Sequence, residues 1–417
     1  MYYGLDLHWK FIQVCALDGR GQEKQSFKLA TTHEAITAFG ETLGPQDQVV
    51  IEATFHSWAV WALLEGQAGK VVVANPLQVK AIAHARIKTD KVDARVLAQL
   101  LRADFIPEVQ MPEQKTWELR QLVTHRQLLA RQKTAVRNAV HGVLHRKLLR
   151  CPYQEAFSPK GRRWMREQSY TDTERFILDN TLAQLDELEK RLKAVNNRLR
   201  SIASTEHQAR LLMTIPGIDV TVAIGLIASI GDITRFDSPG KLASYFGLVP
   251  RVKQSADKCF HGPITKAGRS SARWLAVEAA QSLSQASSPL CATYHRVKRK
   301  KCHNVAVTAL ARKLVELCWH LLTKNEPYRY APEQRTRHKL RRVTPKIKPA
   351  KRGQVPKTLE GVYAEVGLPE LDTASDGERR AAANNRRAMT MLKKNSAAKR
   401  AGRYTKKGSN SKRAKRT

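Results

Sequence analysis

Residues 113–149 and 171–203 of this 417-residue chain repeat apolar side chains at intervals of three and four, with basic and acidic residues between them. That period predicts two amphipathic helices, both long for a globular protein, whose apolar stripes are best buried against one another. We expect an antiparallel coiled-coil arm over residues 113–205. The arm fixes the rest of the organisation, with one region at about 1–105 before it and another at about 206–325 after it. The length predicts two or three domains, and 42% apolar residues suffice for their cores. Arg120, Arg126, Arg131, Lys133, Arg137, Arg146 and Lys147 fall on the wetter faces of the first helix. Two readings are open for them, a solvated surface and an arm that contacts phosphates.

Ahead of the arm, "YYGLDLHW" and "FIQVCALD" read as a strand pair, "EKQSFKLA" as a third strand and "QVVIEAT" as a buried one; then come a helix ("SWAVWALLEGQAG"), another strand ("KVVVANP") and further helices. Strands that first meander and then alternate with helices predict a mixed sheet covered by helices, an α/β domain. The region after the arm reads as mostly α. Within it, "LLMTIPGIDVTVAIGLIASIG" is two short apolar helices broken at Pro216-Gly217, similar to a helix-hairpin-helix that binds a nucleic-acid backbone through its turn. Asp219 stands where such a turn usually has a second glycine, so a purely structural hairpin is equally open.

Acids mark the chemistry. Asp6 sits inside the apolar strand "YYGLDL", and Glu52 follows Val49, Val50 and Ile51 directly. A carboxylate there is costly unless it is paired or metal-bound. In "KTDKVDARVLAQLL", Asp90 and Asp93 share one side of a first helical turn, with Val92, Val96, Leu97, Leu100 and Leu101 as the apolar stripe. By themselves these two fit an N-cap and an acid that complements the helix dipole. Together with Asp6 and Glu52 they make four hard oxygen donors, the set that one or two Mg²⁺ ions require for phosphodiester displacement.

The net charge of +36, with 73 Lys+Arg against 37 Asp+Glu, points to a polyanionic partner, nucleic acid before a membrane surface. Residues 331–417 hold 25 Lys+Arg and 7 Asp+Glu, half of that charge, and we expect a disordered basic tail there. No apolar run is long enough to span a membrane, and the N-terminus enters a strand pattern without a signal peptide, so a cytoplasmic protein is expected. The six cysteines form no CxxC pair, which indicates neither a zinc module nor a disulfide framework. No GxxxxGK[ST] loop implies ATP.

The order "GLDLHW", "IEAT", "KTDKVDAR" resembles the RuvC-like (RNase H-like) domain of the DEDD insertion-sequence transposases, the family of RNA-guided bridge recombinases. From "TIPGID" through "RFDSPGKLASYFGLVPR" to "PITKAGRSSARWLAVEAA", the second half is similar to that family's transposase domain. The resemblance covers roughly residues 2–325. It implies a DNA recombinase that moves an insertion sequence, with Mg²⁺ held by Asp6, Glu52, Asp90 and Asp93. It also implies a serine nucleophile that holds a DNA strand as a phosphoserine, a structured noncoding guide RNA, and active sites shared within a homo-oligomer (dimer or tetramer). By motif position the serine is Ser255, followed by Ala256 where the family usually has glycine. Ser255 lies among Arg251, Lys253, Lys258 and Lys266, cations that suit a pentavalent phosphorane. Arg251, Lys253, Lys266, Arg269 and Arg273 are the expected phosphate contacts. Two rivals remain: a RuvC-like junction nuclease using the same acids with water as nucleophile, and a non-enzymatic nucleic-acid binder with a degenerate site.

Overall fold

The computed structural model describes residues 1–83, 89–255, 258–286, 288–343 and 358–370. The chain divides into two units, Met1–Glu113 and Gln114–Thr417.

The first unit is a five-stranded mixed sheet with helices on both faces. Its elements run β1 (Tyr2–Leu7), β2 (Phe11–Leu17), β3 (Glu23–Ala30), α1 (His33–Glu41), β4 (Gln48–Glu52), α2 (Ser57–Leu64), β5 (Lys70–Ala74), α3 (Pro76–Ile82) and α4 (Asp90–Arg102). The strand order is β3-β2-β1-β4-β5. β1, β2 and β3 pair antiparallel, while β4 joins β1 and β5 in parallel. Strand period sorts the core: Leu5, Leu7, Ile12, Val14, Val49 and Ile51 pack with Ile36, Phe39, Val60 and Leu64 from α1 and α2. On the opposite face, Val50, Val72 and Ala74 meet Leu97 and Leu101, and Cys15 and Leu17 meet Ala94 and Ala98. The buried face of α4 is thus Ala94, Leu97, Ala98 and Leu101, rotated from the expected stripe, because the helix lies too close to the sheet for larger side chains. The unit extends past residue 105: the Asn75 amide donates to Pro107 O at 2.9 Å and the Val109 amide to Val73 O at 2.7 Å, which laces residues 106–109 to the end of β5.

The second unit is mostly helical. It opens with α5 (Gln114–Arg146), α6 (Pro159–Glu167) and α7 (Asp172–Thr205), the last started by a capping box between Thr171 and Glu174. Arg126 bonds Asn196 at 3.0 Å, Lys133 meets Glu189 at 2.8 Å and Lys147 meets Glu174 at 3.1 Å, a descending series that makes α5 and α7 an antiparallel pair. The outer length of the pair keeps its own cores, one around Leu129, Val136, Leu185, Leu188 and Leu192 and one around Val140, Leu144, Met165, Leu178 and Leu182, while its base joins the unit's body. Leu119 and Val123 of α5 and Leu199 and Ala203 of α7 enter one large core with α8 (His207–Met213), α9 (Val220–Ile230), α10 (Pro239–Tyr245), α11 (Ser270–Leu283), α12 (Cys291–Lys300) and α13 (His303–Lys324). Between α10 and α11 lies an antiparallel ribbon of β6 (Pro250–Ser255) and β7 (Lys258–Ile264), absent from the sequence expectation.

The expected disordered tail begins too early at 331. α14 (Glu333–Arg341) and α15 (Leu359–Glu365) bury Thr336, Leu340, Val343, Val362, Tyr363, Val366 and Leu368, and the apolar members of that set join the main core. Their apolar residues are few but fall on one face each, so a basic composition conceals two packed helices. Residues 371–417 lie outside the described residues. Among the described residues no helix is long and apolar enough to cross a membrane.

Candidate active site

Gly4 pairs with Val50 and Leu5 with Ile51 across the parallel β1–β4 ladder, so Asp6 and Glu52 come next at the same edge of the sheet. Because Leu5, Leu7, Val49 and Ile51 turn to the α1–α2 face, the alternation turns Gly4, Asp6, Val50 and Glu52 toward α4. Gly4 lets that helix approach. A Cβ there would collide with the Ala94 carbonyl and the Ala98 amide, so the α4 backbone rests directly on β1 and carries its first turn to Asp6.

Thr89, rather than Asp90, caps α4: its hydroxyl accepts from the Val92 amide at 3.3 Å. The capping role open to Asp90 is therefore filled by its neighbour. Asp90 Oδ1 lies 3.3 Å from His8 Nε2, and the same nitrogen is 3.0 Å from Asp6 Oδ2. Asp6, His8 and Asp90 present ligand atoms that all lie within 4.8 Å of one another. Asp6 is only 5% exposed. Burial pushes its carboxyl pKa up; the charge of His8 and a hydrogen bond with Glu52 oppose that shift, and the charge of Asp93 adds to it. Two of the acids expected from the sequence, Asp6 and Asp90, thereby meet at His8, which the sequence reading missed; Glu52 reaches Asp6 by a hydrogen bond and Asp93 by its charge.

A second missed residue, His56, lies four residues after Glu52. Both its ring nitrogens are buried with no hydrogen-bond partner among the described residues, and burial, then the charge of His8, lowers its pKa. Carboxylate oxygens with a single imidazole form a donor set that fits a hard divalent cation. Asp6, His8 and Asp90 are the described residues whose ligand atoms lie close enough together to hold one.

Ser255 closes β6 at the exposed tip of the ribbon, opposite Lys258, and Arg251, Lys253 and Lys258 are exposed beside it. Ala256 lies outside the described residues. The foot of the ribbon is tightly set. Gly247 and Gly268 have φ of 66° and 65°, and a Cβ on either would strike backbone. Arg273 Nη1 donates to Ala267 O at 3.0 Å and to Phe246 O at 3.3 Å, so this expected phosphate contact serves as a clamp on the ribbon's base. Lys266 is exposed, and Arg269, half-buried, precedes α11. Burial, and then the charge of Arg269, lowers the Arg120 guanidinium pKa to about 10.

The hairpin at Pro216-Gly217 is closely built. Asp219 caps α9 by accepting from the Val222 amide at 2.9 Å, and Gly217 is pressed onto the α11 backbone at Ala279. Lys339 of α14 donates to Ile215 O at 2.8 Å and Ile218 O at 3.0 Å, occupying the carbonyls of the turn.

The DEDD IS110 transposase family model matches residues 3–148, and the model of the transposase IS116/IS110/IS902 family matches residues 209–296, together more than half of the chain. A transposase for insertion sequence element IS1111A from Coxiella burnetii is 23% identical over 78% of this chain and 90% of its own length. A pilin gene-inverting protein of Moraxella bovis is 29% identical over 67% of this chain and 81% of its own. An insertion element IS116 protein of Streptomyces clavuligerus is 25% identical over 78% and 94%. With both family segments present in order, and the first of them containing the acid cluster, the chain belongs to the IS110/IS116/IS902 family of insertion-sequence transposases.

Proposed function

We propose that the protein is the Mg²⁺-dependent recombinase of an insertion sequence, cutting and rejoining DNA through a phosphoserine on Ser255. The observation that carries this reading is that Asp6 of β1 and Asp90 of α4 meet at His8, with Glu52 of β4 hydrogen-bonded to Asp6. The strand order β3-β2-β1-β4-β5, antiparallel then parallel, supports a RuvC-like domain. Mg²⁺ bound by the acids would neutralise charge on the phosphate oxygens. His8 Nε2 bridges Asp6 and Asp90 and so fixes two of those carboxylates. At the serine, the Oγ–P bond forms as the bond from phosphorus to one strand end breaks. The serine gives up its proton to a base, the departing oxygen takes one up, and rejoining reverses both transfers. Lys253 and Lys258 flank Ser255 and would offset phosphorane charge. The homo-oligomer and the structured noncoding guide RNA rest on the resemblance to the bridge recombinases.

A junction nuclease would use the same acids. The Moraxella relative favours recombination, because inverting a gene requires cut strands to be rejoined. A suicide substrate built from the element's own ends separates the two readings. Wild type in Mg²⁺ with the RNA from the flanking region should yield a covalent protein–DNA adduct that is lost in Ser255→Ala and in Asp6→Asn. Full cleavage by Ser255→Ala without adduct would establish the nuclease instead.

A further inference from the structure

Trp9 and Phe55 are 74% and 72% exposed, yet their rings stack on each other at 5.9 Å between centroids and 24° between planes. Each comes three residues after an acid of the cluster, Trp9 after Asp6 and Phe55 after Glu52. Three residues span at most about 11 Å, so the backbones of the pair lie past the carboxyl ends of β1 and β4 and within that reach of Asp6 and Glu52. Exposed aromatic residues are ordinary singly. A stacked pair of rings, both exposed and each three residues after an acid of the cluster, is a different matter.

Both rings are held rather than loose. On the Trp9 side, the His8 amide donates to Phe11 O at 2.9 Å, Thr31 Oγ1 donates to His8 O at 2.9 Å, and the Thr31 amide donates to Lys10 O at 3.3 Å, fixing the turn before and after the indole. On the Phe55 side, the Ala53 amide donates to Ala74 O at 3.0 Å and Ser57 Oγ to Thr54 O at 2.9 Å, while the His56 and Phe55 ring centroids lie 4.5 Å apart at 76° between planes. A surface that is flat, aromatic and pre-set costs little ordering when something lands on it.

We infer that Trp9 and Phe55 form a stacking platform for an unpaired nucleobase of the strand whose phosphate is presented to Asp6, Glu52, Asp90 and Asp93. The inference rests on the proposed function of that cluster. The net charge of +36 favours a nucleic acid as occupant. In a duplex both faces of a base are covered by its neighbours, so only an unstacked or extruded base offers a face to rings of this kind. The contact is blind to sequence because every base has a π-face. It adds affinity for single strands without adding charge, and it pulls a strand away from its complement beside the phosphate to be cut.

The test uses the full chain, without divalent ion, and an oligonucleotide carrying 2-aminopurine, offered as a single strand and annealed as a duplex. Binding of the single strand should quench 2-aminopurine emission. Trp9→Leu/Phe55→Leu should weaken single-strand binding roughly 5- to 150-fold, the effect of losing one stacked base. It should also abolish the quench while leaving duplex affinity and the log–log salt slope unchanged. Trp9→Tyr/Phe55→Tyr should restore both, which shows that the leucine pair fails for want of rings and not of fold. Wild-type affinity and quench in the leucine pair would overturn the platform. So would an equal loss on duplex, or a change in sedimentation alone, which would make the pair an interface between copies. The proposed function fails separately, if Asp6→Asn cleaves as well as wild type, because Asp6→Asn leaves the rings in place.

Discussion

Ending the chain at residue 330 should unfold or badly weaken the second unit, whereas ending it at 370 should leave its stability unchanged. The sizes come from single residues. Leu340 in α14 is fully buried in the main core, and trimming such a leucine to alanine costs about 2–5 kcal/mol. Lys339 donates to Ile215 O and Ile218 O; Lys339→Met would remove the donor from Ile218 O and leave Ile215 O with the Ile218 amide alone, at about 1–3 kcal/mol. A chain ending at 330 loses both contributions and uncovers the core surface shielded by Val343, Val362, Tyr363, Val366 and Leu368, against a domain stability of roughly 5–15 kcal/mol. Residues 371–417 carry 15 Lys+Arg and 3 Asp+Glu. Removing them should only flatten the salt dependence of nucleic-acid binding, by about 0.9 in log–log slope for each B-DNA phosphate they neutralise. Urea unfolding of the two truncations and of Leu340→Ala, together with binding across a salt series, gives the readout. A wild-type midpoint for the chain ending at 330 would refute the reasoning, because α14 and α15 would then contribute nothing to the core.

Gly4→Ala should cost about 1–3 kcal/mol by overpacking against the α4 backbone and should also abolish adduct formation, since the first turn of α4 must move away from Asp6; full adduct yield would show that the approach is not needed. Thr89→Ala should cost about 0.5–2 kcal/mol with cleavage retained, because the cap is lost but no carboxylate is. Asp90→Asn should lose cleavage as far as Asp93→Asn does, and the double variant should be little worse than either, measured as adduct yield. Cys318 and Tyr328 are buried and held up to about 12, from 9.0 and 10.0. Above about pH 10.5 the unfolded chain has lost both protons while the folded chain keeps them, so stability should fall by about 1.4 kcal/mol per pH unit for each group. Lys339, lowered from 10.5 to about 8, is neutral in the folded chain but half-protonated in the unfolded chain at pH 10.5, so it opposes part of the fall until about pH 11.5. Urea midpoints between pH 10.5 and 11.5 should drop less steeply in Tyr328→Phe.

The parts of the fold and site that were legible in the sequence are those whose residues break a local rule. Asp6 and Glu52 interrupt apolar strands, and a buried charge is conspicuous wherever the period is two. His8, one residue past the end of β1, breaks no rule, and only the approach of α4 to Gly4 gives it two carboxylates to bridge. An Asp-x-His pair at the end of a strand was the available signal, since residues two apart share a face. The same close approach explains why α4 buries Ala94 and Ala98 where larger residues were expected. The β6–β7 ribbon was missed because five of the six β6 residues are exposed, which leaves no buried face to write an alternating pattern. For α14 and α15 the charge of their neighbourhood outweighed a handful of apolar residues in the right places.

The distribution of positive charge has a consequence for where nucleic acid can be held. Of the seven basic residues read along α5, Arg120 is committed to Ala228 O at 2.6 Å, Arg126 to Asn196, Lys133 to Glu189 and Lys147 to Glu174, and Arg137 lies over the Phe157 ring at 4.3 Å. These contacts tie the helix pair together and join its base to α9, so most of that charge is spent on packing. Arg131 and Arg146 are left exposed. Arg273 is likewise taken by the ribbon's foot, and Lys339 by the Pro216-Gly217 turn. The ribbon keeps its cations exposed, Arg251, Lys253 and Lys258 near Ser255, with Lys266 at its foot. A surplus of +36 measures attraction to a polyanion at a distance. Which phosphate is gripped depends on the cations that the fold has not already used; among the described residues of the second unit, Lys253 and Lys258 beside Ser255 are exposed, as are Arg299 and Lys300 of α12.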